Sequence, residues 1–170
     1  LPIWIRTQGG AVTGPTGAQV AVNTLTGGTA GTNTLTVNQA INTQRTGNGT
    51  TAGGSVMLES GEAITIANNG TTLLGSISTK GQDNSAGTSG AGGEVFLRST
   101  GAGDITLGGA ITASGGAATG AGNNGGAGGV VTLNAANGSI LINAAIDVSG
   151  GTSALATQGN AGTVQLSTAG

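Results

Sequence analysis

The chain has 170 residues, of which 37 are Gly and 2 are Pro, only 6% are charged, and the formal net charge is −2. Four Lys or Arg cannot form the basic stripe that neutralises phosphates, which argues against a nucleic-acid partner, and no apolar run approaches the ~20 residues of a bilayer span. Glycine at this level raises low-complexity disorder as an alternative, but disorder usually comes with high net charge and no apolar period, neither of which describes this chain.

Taken in order, the chain reads as short strands with one face buried, because apolar and small polar residues alternate with a period of two. Ile3-Trp4-Ile5-Arg6-Thr7 comes first. Gln19-Val20-Ala21-Val22, Leu35-Thr36-Val37 and Ala40-Ile41-Asn42-Thr43 make a first unit of three runs. The second is Ser55-Val56-Met57-Leu58, Ile64-Thr65-Ile66 and Ser76-Ile77-Ser78-Thr79. The third is Glu94-Val95-Phe96-Leu97, Ile105-Thr106-Leu107 and Ile111-Thr112-Ala113-Ser114. The fourth is Val130-Val131-Thr132-Leu133, Ile140-Leu141-Ile142 and Ile146-Asp147-Val148-Ser149, after which Thr163-Val164-Gln165-Leu166 begins a fifth.

Equivalent positions recur with little drift. Val56, Val95, Val131 and Val164 are separated by 39, 36 and 33 residues, and Ile41, Ile77, Ile111 and Ile146 by 36, 34 and 35. Self-similarity at such a period is the mark of a stacked repeat. Residues 23–33 and 67–74 read as insertions that leave the apolar positions in phase, hence loops on the outside. The Gly-rich segments 80–93, 115–129 and 150–162 fall at one phase and should emerge along one edge, where glycine permits close backbone approach. Asn48-Gly49, Asn69-Gly70 and Asn137-Gly138 are turn signals, and each also begins an Asn-x-Ser/Thr triplet.

This pattern predicts an all-β fold, a right-handed parallel β-helix of about four to five three-stranded coils with Gly-rich loops, the hand following from the rule for parallel crossovers. It predicts one β-solenoid domain over residues 1–170, with a strand and linker at 1–17, repeats at 18–52, 53–91, 92–127 and 128–160, and a partial repeat at 161–170. A stack of hairpins or a sandwich would use the same runs, with the Asn-Gly pairs as hairpin tips. Pairing separates the two: a β-helix pairs each strand with its copy in the next repeat, and hairpins pair within one.

The phrase from Gly128 to Gly151, with its weaker copies over most of the chain, resembles the β-helical regions of filamentous haemagglutinin-like exoproteins and related bacterial surface adhesins. The resemblance implies an exported protein at the cell surface or in the extracellular space.

Chemistry-bearing residues are sparse. The six acids are Glu59, Glu62, Asp83, Glu94, Asp104 and Asp147, and His, Cys and Tyr are absent. Paired-carboxylate hydrolysis needs two acids across one groove; Glu59 and Glu62, placed by the pattern at the turn after a first strand, are the nearest pair and read as solvated. Asp104 in Gly101-Ala102-Gly103-Asp104 lacks the repeated acids of a calcium β-roll. No catalytic, metal or cofactor residues are therefore expected.

The first and last strands read as open sheet edges, which invite another chain. The expected interface comprises Ile3, Trp4 and Ile5 on one side and Val164 and Leu166 on the other, joining copies head to tail by strand addition. The expected function is a structural subunit of an extracellular filament or surface layer. The alternatives are a passenger fragment of a secreted adhesin that binds host or environmental glycans, and an ice- or surface-binding protein displaying Thr34, Thr36, Thr65, Thr106 and Thr112.

Overall fold

A computed structural model describes residues 20–24 and 34–169. Its strands are β1 (Val20–Thr24), β2 (Leu35–Val37), β3 (Ala40–Asn42), β4 (Val56–Ser60), β5 (Ile64–Ile66), β6 (Ser76–Ser78), β7 (Glu94–Ser99), β8 (Ile105–Leu107), β9 (Ile111–Thr112), β10 (Val130–Ala135), β11 (Ile140–Ile142), β12 (Ile146–Asp147) and β13 (Thr163–Thr168). No helix is found among the described residues. Every third strand pairs, in parallel, with its copy one repeat on. The sheets are β1-β4-β7-β10-β13, β2-β5-β8-β11 and β3-β6-β9-β12. Pairing between repeats rather than within them makes a β-solenoid of about four turns and excludes the hairpin stack.

Register follows residue identity. Val56 faces Val95, Val95 faces Val131, and Val131 faces Val164. Ile41, Ile77, Ile111 and Ile146 line up in the third sheet. Successive side chains point to opposite faces, so one face of each strand feeds a common interior: Val95 and Leu97 are fully buried while Phe96 between them is half-buried on the outer face. Leu58, Leu97 and Leu133 form one rank of the core, and Ile64 and Ile105 another. Each such side chain contributes roughly 1.5–3 kcal/mol of burial, with like stacked on like along the Val56 and Ile41 ranks and mixed aliphatics, Val37, Ile66, Leu107 and Ile142, along one rank of the second sheet.

The corners explain why the third inward position of the first sheet is polar in β4 and β7, where β10 has Ala135. Ser60 and Ser99 are fully buried. Ser99 Oγ donates to the Gly103 carbonyl at 2.7 Å, and Ser60 Oγ accepts from the Glu62 N–H at 3.1 Å. Each hydroxyl satisfies backbone that the turn takes out of the ladder. At the corner that leaves the third sheet, Thr43 Oγ1 donates to the Gly54 carbonyl at 3.1 Å.

Beside the apolar column lies a second layer made of glycine backbone. Each Gly-rich segment runs out from the third sheet and returns to the first, and its outgoing arms bridge from coil to coil at Asn84, Ala118 and Ser153. The arms also bond to one another. Gly90 N–H donates to Gln82 O at 2.8 Å, Gly116 to Gly90 at 2.8 Å, Gly126 to Gly116 at 3.0 Å, Gly151 to Gly126 at 2.7 Å and Gly159 to Gly151 at 2.9 Å. This zigzag crosses between arms and between coils in turn. Only glycine fits such an approach: a Cβ on Gly126 would overlap the Gly90 carbonyl, and one on Gly159 the Gly126 carbonyl.

Polar side chains staple one coil to the next at irregular points. Asn48 Oδ1 accepts from the Ser85 N–H, Asp83 Oδ1 from Ala117 at 2.7 Å, Asp104 Oδ1 from Ser139 at 2.7 Å, and Asn124 Oδ1 from Thr157 at 3.2 Å. The insertion at 67–74 folds back on itself through an antiparallel bridge between Asn68 and Leu74.

Candidate assembly surface

The three sheets stop together at the C-terminal end of the column, where β11, β12 and β13 each pair on one edge alone among the described residues. The inward side chains of this coil are consequently uncovered. Val131 and Leu133 are fully buried, yet Val164 and Leu166, one step along the same ranks, are 39% and 53% exposed. Ile142 is 40% exposed, and Ile140, Ile146 and Val148 are partly so. The surface is therefore a cross-section of the core, bordered by three strands with backbone groups free on one side. From Ser99 to the end of the chain the only charged side chains are Asp104 and Asp147, so this stretch brings no cationic group to the face.

The two expected residues on this side, Val164 and Leu166, lie together on β13. Their counterparts Ile3, Trp4 and Ile5 fall outside the described residues. The sequence reading missed Ile140, Ile142, Ile146 and Val148 as part of the same surface. Their inward phase was legible, and the signal for exposure was their place in the last complete unit. At the opposite end, the first coil's Val20, Val22, Leu35 and Ile41 are all buried to 9% exposure or less, so the two ends of the described column are not alike.

Of the two acids that the sequence pattern placed together after a first strand, one lies elsewhere. Glu59 lies within β4 and not in the turn after it, and its Oε1 is 3.5 Å from Arg98 Nη1 on β7, directly opposite in register. Glu62 lies beyond the strand, at the corner. Among the described residues no three of His, Cys, Asp and Glu converge in a way that could hold a metal ion. The threonines are more ordered than their spacing suggested: Thr36, Thr65 and Thr106 form one outward rank on the second sheet, which Leu141 ends. Thr34 does not extend it, and Thr112 belongs to the third sheet.

Asp83 has a displaced titration. Its carboxylate accepts from Lys80 Nζ at 2.8 Å and from the Ala117 N–H. The Lys80 hydrogen bond is the main cause holding its pKa below the ordinary 3.8; partial burial opposes it, and the Ala117 N–H and the Lys80 charge reinforce it. A depressed folded pKa means that the group's contribution is fully present above 3.8 and is lost as pH falls through the folded value. Asp83→Asn, which keeps an oxygen for Ala117, should lower the unfolding free energy from urea titration at neutral pH by less than about 1 kcal/mol, because the pair is solvent-screened. The difference from wild type should close below the carboxylate range. An equal deficit at both pH values would show that the amide disturbs packing instead.

Three parallel sheets threading every repeat define the chain as a β-solenoid repeat protein. Comparison with protein-family models, curated proteins and solved structures gives no match.

Proposed function

We propose that the protein is a structural subunit of an extracellular filament or surface layer, assembling by stacking the coil of one copy on the open coil of another. The observation that carries this reading is the C-terminal face, where the Val, Leu and Ile ranks that every inner coil buries stand half-exposed beside three open strand edges. A second copy would meet this face as one coil meets the next within the chain, parallel and in register. Such an interface joins two different surfaces, and it propagates instead of closing. Covering the face removes apolar area worth on the order of 1 kcal/mol per side chain and completes the edge ladders.

Purified protein concentrated at neutral pH should form filaments by electron microscopy, with an axial repeat of one subunit. Leu166→Glu places a charge in the centre of the face and should abolish them while leaving the monomer's circular dichroism unchanged. Discrete monomers at high concentration, or filaments indifferent to Leu166→Glu, would overturn the reading.

A further inference from the structure

The three Asn-Gly pairs are chemically unequal. In such a pair the glycine nitrogen can attack the side-chain amide carbon of the asparagine before it, since no Cβ hinders the approach. At Asn48-Gly49 both partners are engaged: Gly49 N–H donates to the Asp83 carbonyl at 2.9 Å, and Asn48 Oδ1 holds the Ser85 N–H of the next coil. At Asn69-Gly70, Gly70 N–H donates to Asn68 Oδ1 at 2.8 Å. Asn69 Oδ1 accepts from the N–H groups of Thr71, Thr72 and Leu73 at 3.0, 3.0 and 2.9 Å. At the third pair Asn137 is exposed, and neither its side chain nor the Gly138 N–H makes a hydrogen bond among the described residues.

We infer that Asn137 is this protein's site of spontaneous deamidation, with Asn48 and Asn69 protected by the fold. Gly138 N forms a bond to Asn137 Cγ and gives up its proton, the Cγ–Nδ2 bond breaks, and ammonia leaves. The five-membered succinimide that results is opened by water at either carbonyl, leaving aspartate or isoaspartate. No electrons are exchanged, and water is the only co-reactant. The new carboxylate stands in a recess that Asn137 shares with Asp104 and Thr168, beside the open coil. The isoaspartate product also lengthens the backbone next to Gly138, where a Cβ would already overlap the Gly103 carbonyl. Conversion therefore adds charge and loosens the corner of the fourth coil. This inference does not depend on the assembly reading.

The test is peptide mapping by mass spectrometry of the intact protein held at mildly alkaline pH, with a parallel sample unfolded in urea. A net backbone hydrogen bond is worth roughly 1 kcal/mol, about a factor of five in an equilibrium, so in the folded protein Asn137 should convert about fivefold or more faster than Asn48 and Asn69. In urea the three rates should converge. Asn137→Gln should remove the early mass change and leave the other two sites as they were. Equal rates at all three sites in the folded protein, the same ranking in urea, or no conversion at Asn137 while the unfolded chain converts would each overturn the inference.

Discussion

Replacing Gly126 with alanine should destabilise the protein by about 3 kcal/mol or more, the upper end of what overpacking a tight site costs. Gly126 is the midpoint of the glycine layer: its N–H donates to Gly116, its carbonyl accepts from Gly151, and its α-carbon faces the Gly90 carbonyl of the coil before. The atom a methyl group would strike is backbone, which cannot turn aside as a side chain can. Relief requires separating two coils, and separation breaks the Gly116–Gly90 bond, which links those coils in the zigzag. Ala121→Ser, at the exposed tip of the same segment, should be close to neutral. Urea or thermal melts followed by circular dichroism would compare the two. A Gly126→Ala midpoint within error of wild type would mean that the glycine arms are not packed against each other in solution.

Leu97→Ala should cost about 2–5 kcal/mol, and Leu166→Ala far less, although both occupy the same rank. Leu97 is fully buried between Leu58 and Leu133, so its truncation opens a cavity that coils on both sides were packed against. Leu166 touches a neighbour on one side only and is already 53% exposed. Stability in a stacked repeat is approximately a sum of nearest-neighbour terms: the inner residue participates in two of them, the outer in one. The same urea titration, run on freshly diluted monomer, separates the two substitutions. Equal losses would contradict the placement of Leu166 at an open end.

The apolar register was legible because the repeat wrote it into residue identity. Ile41, Ile77, Ile111 and Ile146 recur at spacings of 34–36, and a strand's side-chain period of two leaves no freedom over which of its residues face inward. The glycine layer was legible only as to place. Its arms carry no apolar period, so the pattern could position segments 80–93, 115–129 and 150–162 at one edge but not show that Gly90, Gly116, Gly126 and Gly151 bond in a single zigzag. Glu59 was misplaced by one element because strand ends carry weak signals, and its pairing with Arg98 depends on a register that only the folded stack reveals. Val164 and Leu166 were found from their period. Ile142 and Val148 were not, since their exposure follows from β11 and β12 pairing on one edge alone among the described residues, a property of position in the stack and not of local sequence.

The homotypic ranks have a cost in specificity. A valine that meets a valine and an isoleucine that meets an isoleucine would do so equally well if the second coil docked on the fourth, so the ranks of Val56 in the first sheet and Ile41 in the third cannot tell neighbours from strangers. What does differ from one interface to the next is the sparse polar set: Asn48 with Ser85, Glu59 with Arg98, Asp83 with Ala117, Asp104 with Ser139, Asn124 with Thr157. Each occurs once. They act as addresses, weak as sources of cohesion and informative about order, in a chain whose strongest contacts carry no label.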